Sequence, residues 1–313
     1  MIFALDRADP PCAPAGACPP IGDEEIVAAS QSMNLAGTGG GSGARLLSLL
    51  LDDTIDLPEL ARRISAQPAI AVRVMRVANS AYYRHSGEVA TVDRAAQLLG
   101  SSTLRGIAAA ACFDRMSAPN ARGASLDLPA FRGHSLAAAC AAQALARRVA
   151  PALADEAFIA GLLHDLGIIV QWRLRPQWLA RLDAIDGDRA FAHHAGERQA
   201  LGATHTRCGS VLLAAWNLPA SLVAAVAAHG FDDEDDTAAV AEPPLLATLL
   251  TLADHLAAVA GFGFRNELAA AAPDPLALDR CGLTPEHLAA MAATVPASVD
   301  RLCAAFGSGT DPR

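Results

Sequence analysis

The chain has 313 residues, 52% hydrophobic and 18% charged, which is ample for a sizeable buried core in one or two domains. Its formal net charge is −9 and all 24 basic residues are arginine, a balance that argues against nucleic acid as the general partner. No apolar run reaches the ~20 residues of a transmembrane span, the proline-containing N-terminus makes a poor signal peptide, and the seven cysteines are scattered with no CxxC pair. These features predict a cytoplasmic protein with no membrane association and no disulfide framework.

Alanine and leucine dominate and aromatics make up only 4%, which favours helix over sheet. Residues 1–43 read as a mostly disordered leader: a Pro- and Ala-rich start, one short helix candidate in "DEEIVAASQSMNLA", and the hinge "GTGGGSG". From residue 44 the pattern is helical throughout. "LPELARRISAQ" follows Asp56 and carries Pro58 in its first turn, a normal helix start. "PAIAVRVMRVANSAYY" places Ile70, Val74 and Val77 on one face. "TVDRAAQLLG" has a Thr91 cap and a Gly100 stop, and "SSTLRGIAAAACFDRM" gives another helix. The loop from Ser117 to Leu128 reads as the joint between two helical lobes, 44–117 and 129–262.

The second lobe runs through "FRGHSLAAACAAQALARRVA", "EAFIAGLLHDLGIIV", "RPQWLARLDAI", "RAFAHHAGERQALG", "THTRCGSVLLAAW" and "LPASLVAAVAAHG". An acidic loop separates these from "LLATLLTLADHLAAVAGFG". Two weaker helices and a loose tail close residues 263–313. No strand-period segment or short repeat stands out, so the predicted fold is an all-α, two-lobed helical bundle.

Within this apolar setting five segments of the second lobe offer histidine or aspartate: His134, His164 with Asp165, His205, His229 and Asp254. Imidazole nitrogen and carboxylate oxygen suit divalent zinc, iron, manganese or nickel, and ligands pointing inward from facing helices are how bundles build metal sites. Helical neighbours diverge by ~100°, so His164 and Asp165 can share one ion only if it lies over the ridge between them. Asp165, with two oxygens, could bridge two ions.

The ordered series "QPA", "VMRVANSAYY", "TVDRAAQLLG", "AFIAGLLHDLG", "ER", "GATHTRCGSVLLAAW", "NLPASLVAAVAAH" and "LADHLA", with an upstream "HS", resembles the HDOD family of bacterial signalling domains, within the HD superfamily of metal-dependent phosphohydrolases. The resemblance spans about residues 44–262 and makes the second lobe HD-like. It places the HD metal ligands on His134, His164, Asp165 and Asp254, and the further histidines of binuclear relatives on His205 and His229. Relatives often have a second histidine after the latter position, where this chain has Gly230. The resemblance implies a divalent metal (Fe, Mn, Zn, Ni or Mg) and a regulatory protein without catalysis, acting through a protein partner in a signalling pathway or a nucleotide ligand. The alternative it carries is a metal-dependent phosphohydrolase acting on a nucleotide or cyclic dinucleotide. It assigns no catalytic residue.

Each candidate has a plainer reading. His164 and Asp165 could be a buried hydrogen-bonded pair that fixes packing. His205 could sit near a helix start beside two threonines, and His229 could cap a helix end. His193 and His194 read as exposed, His255 points away from Asp254, and His85 and His287 lie in loop or terminal contexts. Asn79-Ser80 reads as a helix terminator and Trp216 as a packing residue. The arginine excess over 61–105 reads as a solvated face, and "DDEDD" as a solvated loop.

Overall fold

The structure is a computed structural model that describes residues 19–35, 42–80, 82–83, 89–117, 126–176, 192–230, 243–264 and 272–306. Every regular element among them is helical, as the composition predicts. The first, α1 (Asp23–Leu35), falls on the short helix candidate within the leader, of which 1–18 and 36–41 lie outside the described residues. Ile26, Ala29 and Met33 are buried, and their i, i+3, i+7 spacing is that of one helical face. Trp216 donates its indole N–H to the Ser30 carbonyl at 3.2 Å, while Asp23 and Glu25 pair with Arg207 and Arg175. The helix is docked on the second lobe.

The first lobe comprises α2 (Ser42–Leu50), α3 (Leu57–Ser65), α4 (Pro68–Ala78) and α5 (Val92–Met116). Asp56 caps α3 by accepting from the Glu59 N–H at 2.9 Å, and Thr91 accepts from the Arg94 N–H at 3.2 Å. Gly100 breaks the helical path of α5 with φ 76° and ψ 168°, as its expected stop position requires. Asn79 does more than end α4. Its amide exchanges two hydrogen bonds with the Val89 backbone, both 2.8 Å, and donates to the Met75 carbonyl at 3.0 Å, so it ties the two ends of the intervening loop together.

The arginines of 61–105 are not one solvated face. Arg62 and Arg63 pair with Glu59, and Arg73 pairs with Asp114. Arg105 is buried and donates to the carbonyls of Leu50, Asp52 and Ile55. Its guanidinium serves acceptors that the end of α2 and the following turn leave open.

The second lobe comprises α6 (Leu128–Val149), α7 (Ala154–Leu163), α8 (Leu166–Leu174), α9 (Ala192–Leu201), α10 (His205–Ala215), α11 (Ala220–Ala228) and α12 (Leu245–Ala257), the last continued by a wider turn over Ala258–Phe262. The span Leu245–Phe262 is long and apolar enough to cross a membrane by composition alone, but most of it is buried within the molecule. Three short helices close the described chain where two were expected: α13 (Pro275–Cys281), α14 (Pro285–Ala292) and α15 (Val295–Phe306). The last packs on both α4 and α6 and so bridges the lobes. The acidic "DDEDD" run and His85 lie outside the described residues.

Candidate metal centre

The stretch "GLLHDLG" is not one continuous helix. The path turns at His164 and Asp165, which separate α7 from α8; Asp165 holds φ −98° and ψ 9°. This break lets both side chains face the same space, where consecutive residues of an unbroken helix diverge by ~100°. The flanking glycines set the approach of the neighbouring helices. A Cβ at Gly161 would lie 2.7 Å from the Ala138 carbonyl oxygen of α6, and one at Gly167 would lie 1.8 Å from the His205 carbonyl oxygen of α10. Only glycine lets these backbones close. Closure brings His134 on α6 and His205 on α10 up to the pair.

Four of the expected ligands converge. His134 Nε2 lies 3.4 Å from His164 Nε2, 3.5 Å from Asp165 Oδ2 and 3.0 Å from Asp254 Oδ1. His164 Nε2 lies 3.4 Å from Asp165 Oδ2 and 3.8 Å from Asp254 Oδ1. Two ligand atoms bound at ~2.1 Å to one ion at tetrahedral angles stand ~3.4 Å apart, so these separations fit a shared cation. The other oxygen of Asp165 faces the second pair: Oδ1 is 3.5 Å from His205 Nε2 and 3.7 Å from His229 Nε2. Asp165 therefore stands between two histidine pairs, one oxygen toward each.

The tautomers are fixed from behind. His134 Nδ1 meets the Phe262 carbonyl at 2.9 Å, His164 Nδ1 the Gly161 carbonyl at 2.8 Å, and His229 Nδ1 the Val226 carbonyl at 2.7 Å. A carbonyl only accepts, so each Nδ1 carries the hydrogen and each neutral ring turns an Nε2 lone pair inward. His205 is held by a carboxylate instead. Glu197, fully buried on α9, lies 2.9 Å from His205 Nδ1 and accepts the His205 backbone N–H at 2.6 Å. Such partners behind metal-ligating histidines fix ring orientation and raise ligand basicity.

With Nδ1 committed, a neutral ring has only a lone pair at Nε2, and a hydrogen comes there only with a positive charge. Accordingly, Asp254 Oδ1 and His229 Nε2 are buried atoms with no hydrogen-bond partner among the described residues. Buried carboxylates need a counter-charge, which a protonated ring or a bound cation can supply. Acid–base behaviour points the same way. Burial opposes a charge on His164, but Asp165 and Asp254 outweigh it and raise the imidazole to about 9. Burial pushes the Asp165 carboxyl up, yet His164, His229 and the other rings hold it well below the usual range. Asp254 is likewise lowered against burial by His134 and His164. His229 is lowered by burial first, with Asp165 opposing. The group draws positive charge to the gap between rings and carboxylates, and divalent transition metals suit this N/O donor set.

The plainer readings divide. His229 does end α11 and bond its last turn, but its other nitrogen faces Asp165. His205 does begin α10, where Thr204 is the cap accepting from Arg207 N–H at 3.1 Å. His287 forms a capping box with Thr284, away from the centre, and Trp216 is buried packing. His194 was expected to be exposed. It is half-buried, with its ring centroid 4.8 Å from that of His205. Sequence reasoning gave Glu197 no role beyond its place in the family series and set His194 aside. The cue available was their i, i+3 spacing on α9, which puts both on one face.

The all-α second lobe thus gathers His, His-Asp and Asp from separate helices into groups that could hold a metal ion. The HDOD domain profile matches residues 42–230, more than half of the chain, and the chain belongs to the HDOD family. Among solved structures, a Shewanella amazonensis protein provisionally named a phosphohydrolase has a TM-score of 0.61 at 23% identity, covering 90% of this chain and 98% of its own. A Marinobacter aquaeolei protein provisionally named for signal transduction has a TM-score of 0.67 at 19% identity, covering 91% and 64% respectively. An HDOD domain protein of unknown function from Geobacter sulfurreducens gives 0.59 at 17%, covering 88% and 98%. At these identities the likeness establishes the fold. A curated Treponema pallidum protein, described as uncharacterized, is 31% identical over 78 residues, which span 25% of this chain and only 15% of that protein.

Proposed function

We propose that the chain is a bacterial, cytoplasmic signal-transduction module whose HD-type centre holds a divalent transition-metal ion and which works by binding a protein partner or a nucleotide ligand, without turnover. The observation that carries this reading is the set of inward Nε2 lone pairs and unpartnered carboxylate oxygen at His134, His164, His229 and Asp254. A divalent cation would satisfy all of these atoms at once. His134, His164, Asp165 and Asp254 would hold the ion, and it would tie α6, the α7–α8 junction and α12 into one unit. The regulatory side of the proposal is supported by what surrounds the seat. Phosphoryl transfer relies on cationic groups that neutralise phosphate. Leu166 to Val170, directly after Asp165, are all apolar or glycine and buried, and supply no such group.

A second reading, hydrolysis of a nucleotide or cyclic dinucleotide, is favoured by the stance of Asp165 between two histidine pairs. A bound divalent ion would supply Lewis acidity and a water of lowered pKa for attack on phosphorus. Asp165 would then orient the ligands, and His134 and Asp254 would close the seat.

Metal analysis after reconstitution and desalting tests the main reading, with Asp165→Asn alongside. We expect at least about one ion per chain in the native protein and loss of affinity of about 100-fold or more in the variant. Absence of metal from the reconstituted native protein rejects it. A hydrolysis screen separates the two readings: turnover that Asp165→Asn abolishes would establish the enzyme.

A further inference from the structure

His194 lies where a side chain at position 230 would point. Gly230 has φ 72°, and a Cβ built on it would stand 3.1 Å from His194 Cε1 and 3.7 Å from its Nε2. The imidazole, reaching in from α9, fills the space that glycine leaves. It packs against His205 with planes 36° apart. Three residues along the same face of α9, Glu197 grips His205. The helix thus reaches the centre through two side chains. The centre has an opening for it: His229 Nε2 is buried, unpartnered among the described residues and turned toward Asp165 Oδ1.

We propose that His194 is a metal ligand: with His205, His229 and Asp165 Oδ1 it completes a second divalent-cation position, supplying from α9 the imidazole that position 230 lacks. Simple packing against His205 is the competing explanation. It does not account for the coincidence of a bare glycine, an imidazole over it and an unpartnered ring nitrogen beside it. The proposal rests on the metal-binding reading above and adds a ligand and a second ion to it. Asp165, with one oxygen toward each pair, would be the bridge.

The test is Mn2+ titration by calorimetry, metal analysis and electron paramagnetic resonance on the native protein, His194→Ala and His194→Gln. The native protein should take up about two ions, with an exchange-coupled spectrum from neighbouring Mn2+. Both variants should retain about one ion with an isolated six-line spectrum, the second binding step weakened at least about tenfold. The metal-free melting of His194→Gln should match the native protein, since glutamine roughly preserves volume. Two ions in either variant, or one in the native protein, would overturn the role of His194 while leaving the first seat standing. No ion in the native protein would sink both readings together.

Discussion

Glu197 shows how much of the centre is set behind the ligands themselves. Its carboxylate meets both the backbone N–H and Nδ1 of His205, so it fixes where His205 Nε2 points. Glu197→Gln keeps the volume but removes the charge and leaves one oxygen for two donors. We expect about 10- to 100-fold weaker binding of the ion beside His205 and a stability loss of about 1–3 kcal/mol, read by Mn2+ calorimetry and urea unfolding. Unchanged affinity would show that His205 is not a ligand. At this scale the sequence was informative where chemistry is carried by residue type. The His-Asp pair in an apolar run, and His134 and Asp254 matched by motif order, all converge. It was silent where chemistry depends on a turn: Glu197 sits on a short polar helix, and Gly202 reverses the chain before His205. No periodicity links residues across such a reversal. His194 was hidden by the same turn and by its charged and small neighbours.

At the scale of elements, the centre exists because two helix pairs touch backbone to backbone. The α7–α8 break places His164 and Asp165, but Gly161 and Gly167 decide whether α6 and α10 can reach them. A Cβ at Gly167, 1.8 Å from the His205 carbonyl oxygen and 2.7 Å from the Gly209 nitrogen, meets backbone that cannot rotate aside. Gly167→Ala must push α8 and α10 apart, at a cost of about 3 kcal/mol or more, and should weaken metal binding at His205 as the ring withdraws. Gly106→Ala is the control. Its Cβ would meet only the Phe158 ring at 3.4 Å, and alanine gains helix propensity, so a change within about 1 kcal/mol is expected. Urea unfolding of both variants decides the matter: equal losses would remove backbone approach as the cause. The sequence marked the helices, the cap at Thr91 and the stop at Gly100, because caps and glycine act locally. It read the flanking glycines as part of a motif without their packing purpose, since close approach depends on a helix far away in the chain.

At the scale of the whole molecule, every candidate ligand belongs to the second lobe, so the question is whether metal binding is felt in the first. Three links argue that it is. Ser102 of α5 donates to Asp155 of α7. Arg132 of α6 donates to the Asp114 carbonyl at 3.0 Å and to Ser117 at 3.1 Å. The last helix, α15, lies on α4 and α6 together, with Val295 and Val299 buried. The chain carries its own reporters for each side. Its two tyrosines, Tyr82 and Tyr83, follow α4, whereas its three tryptophans, Trp172, Trp178 and Trp216, all belong to the second-lobe sequence. If the links hold, tyrosine absorbance and tryptophan fluorescence report one coincident thermal transition, as a cooperative unit requires. An ion at about 100 times its dissociation constant adds about 2.7 kcal/mol to the native state. At the ~2–4 °C per kcal/mol typical of larger domains, both signals should rise together by about 5–11 °C and fall back on chelation. Asp165→Asn should show no such rise. A shift confined to the tryptophans would mean that the lobes unfold separately, and that any signal leaving the centre travels by a partner bound to the second lobe alone. A common shift makes α5, α6 and α15 the route by which occupancy of the centre stabilises the face formed by α3 and α4.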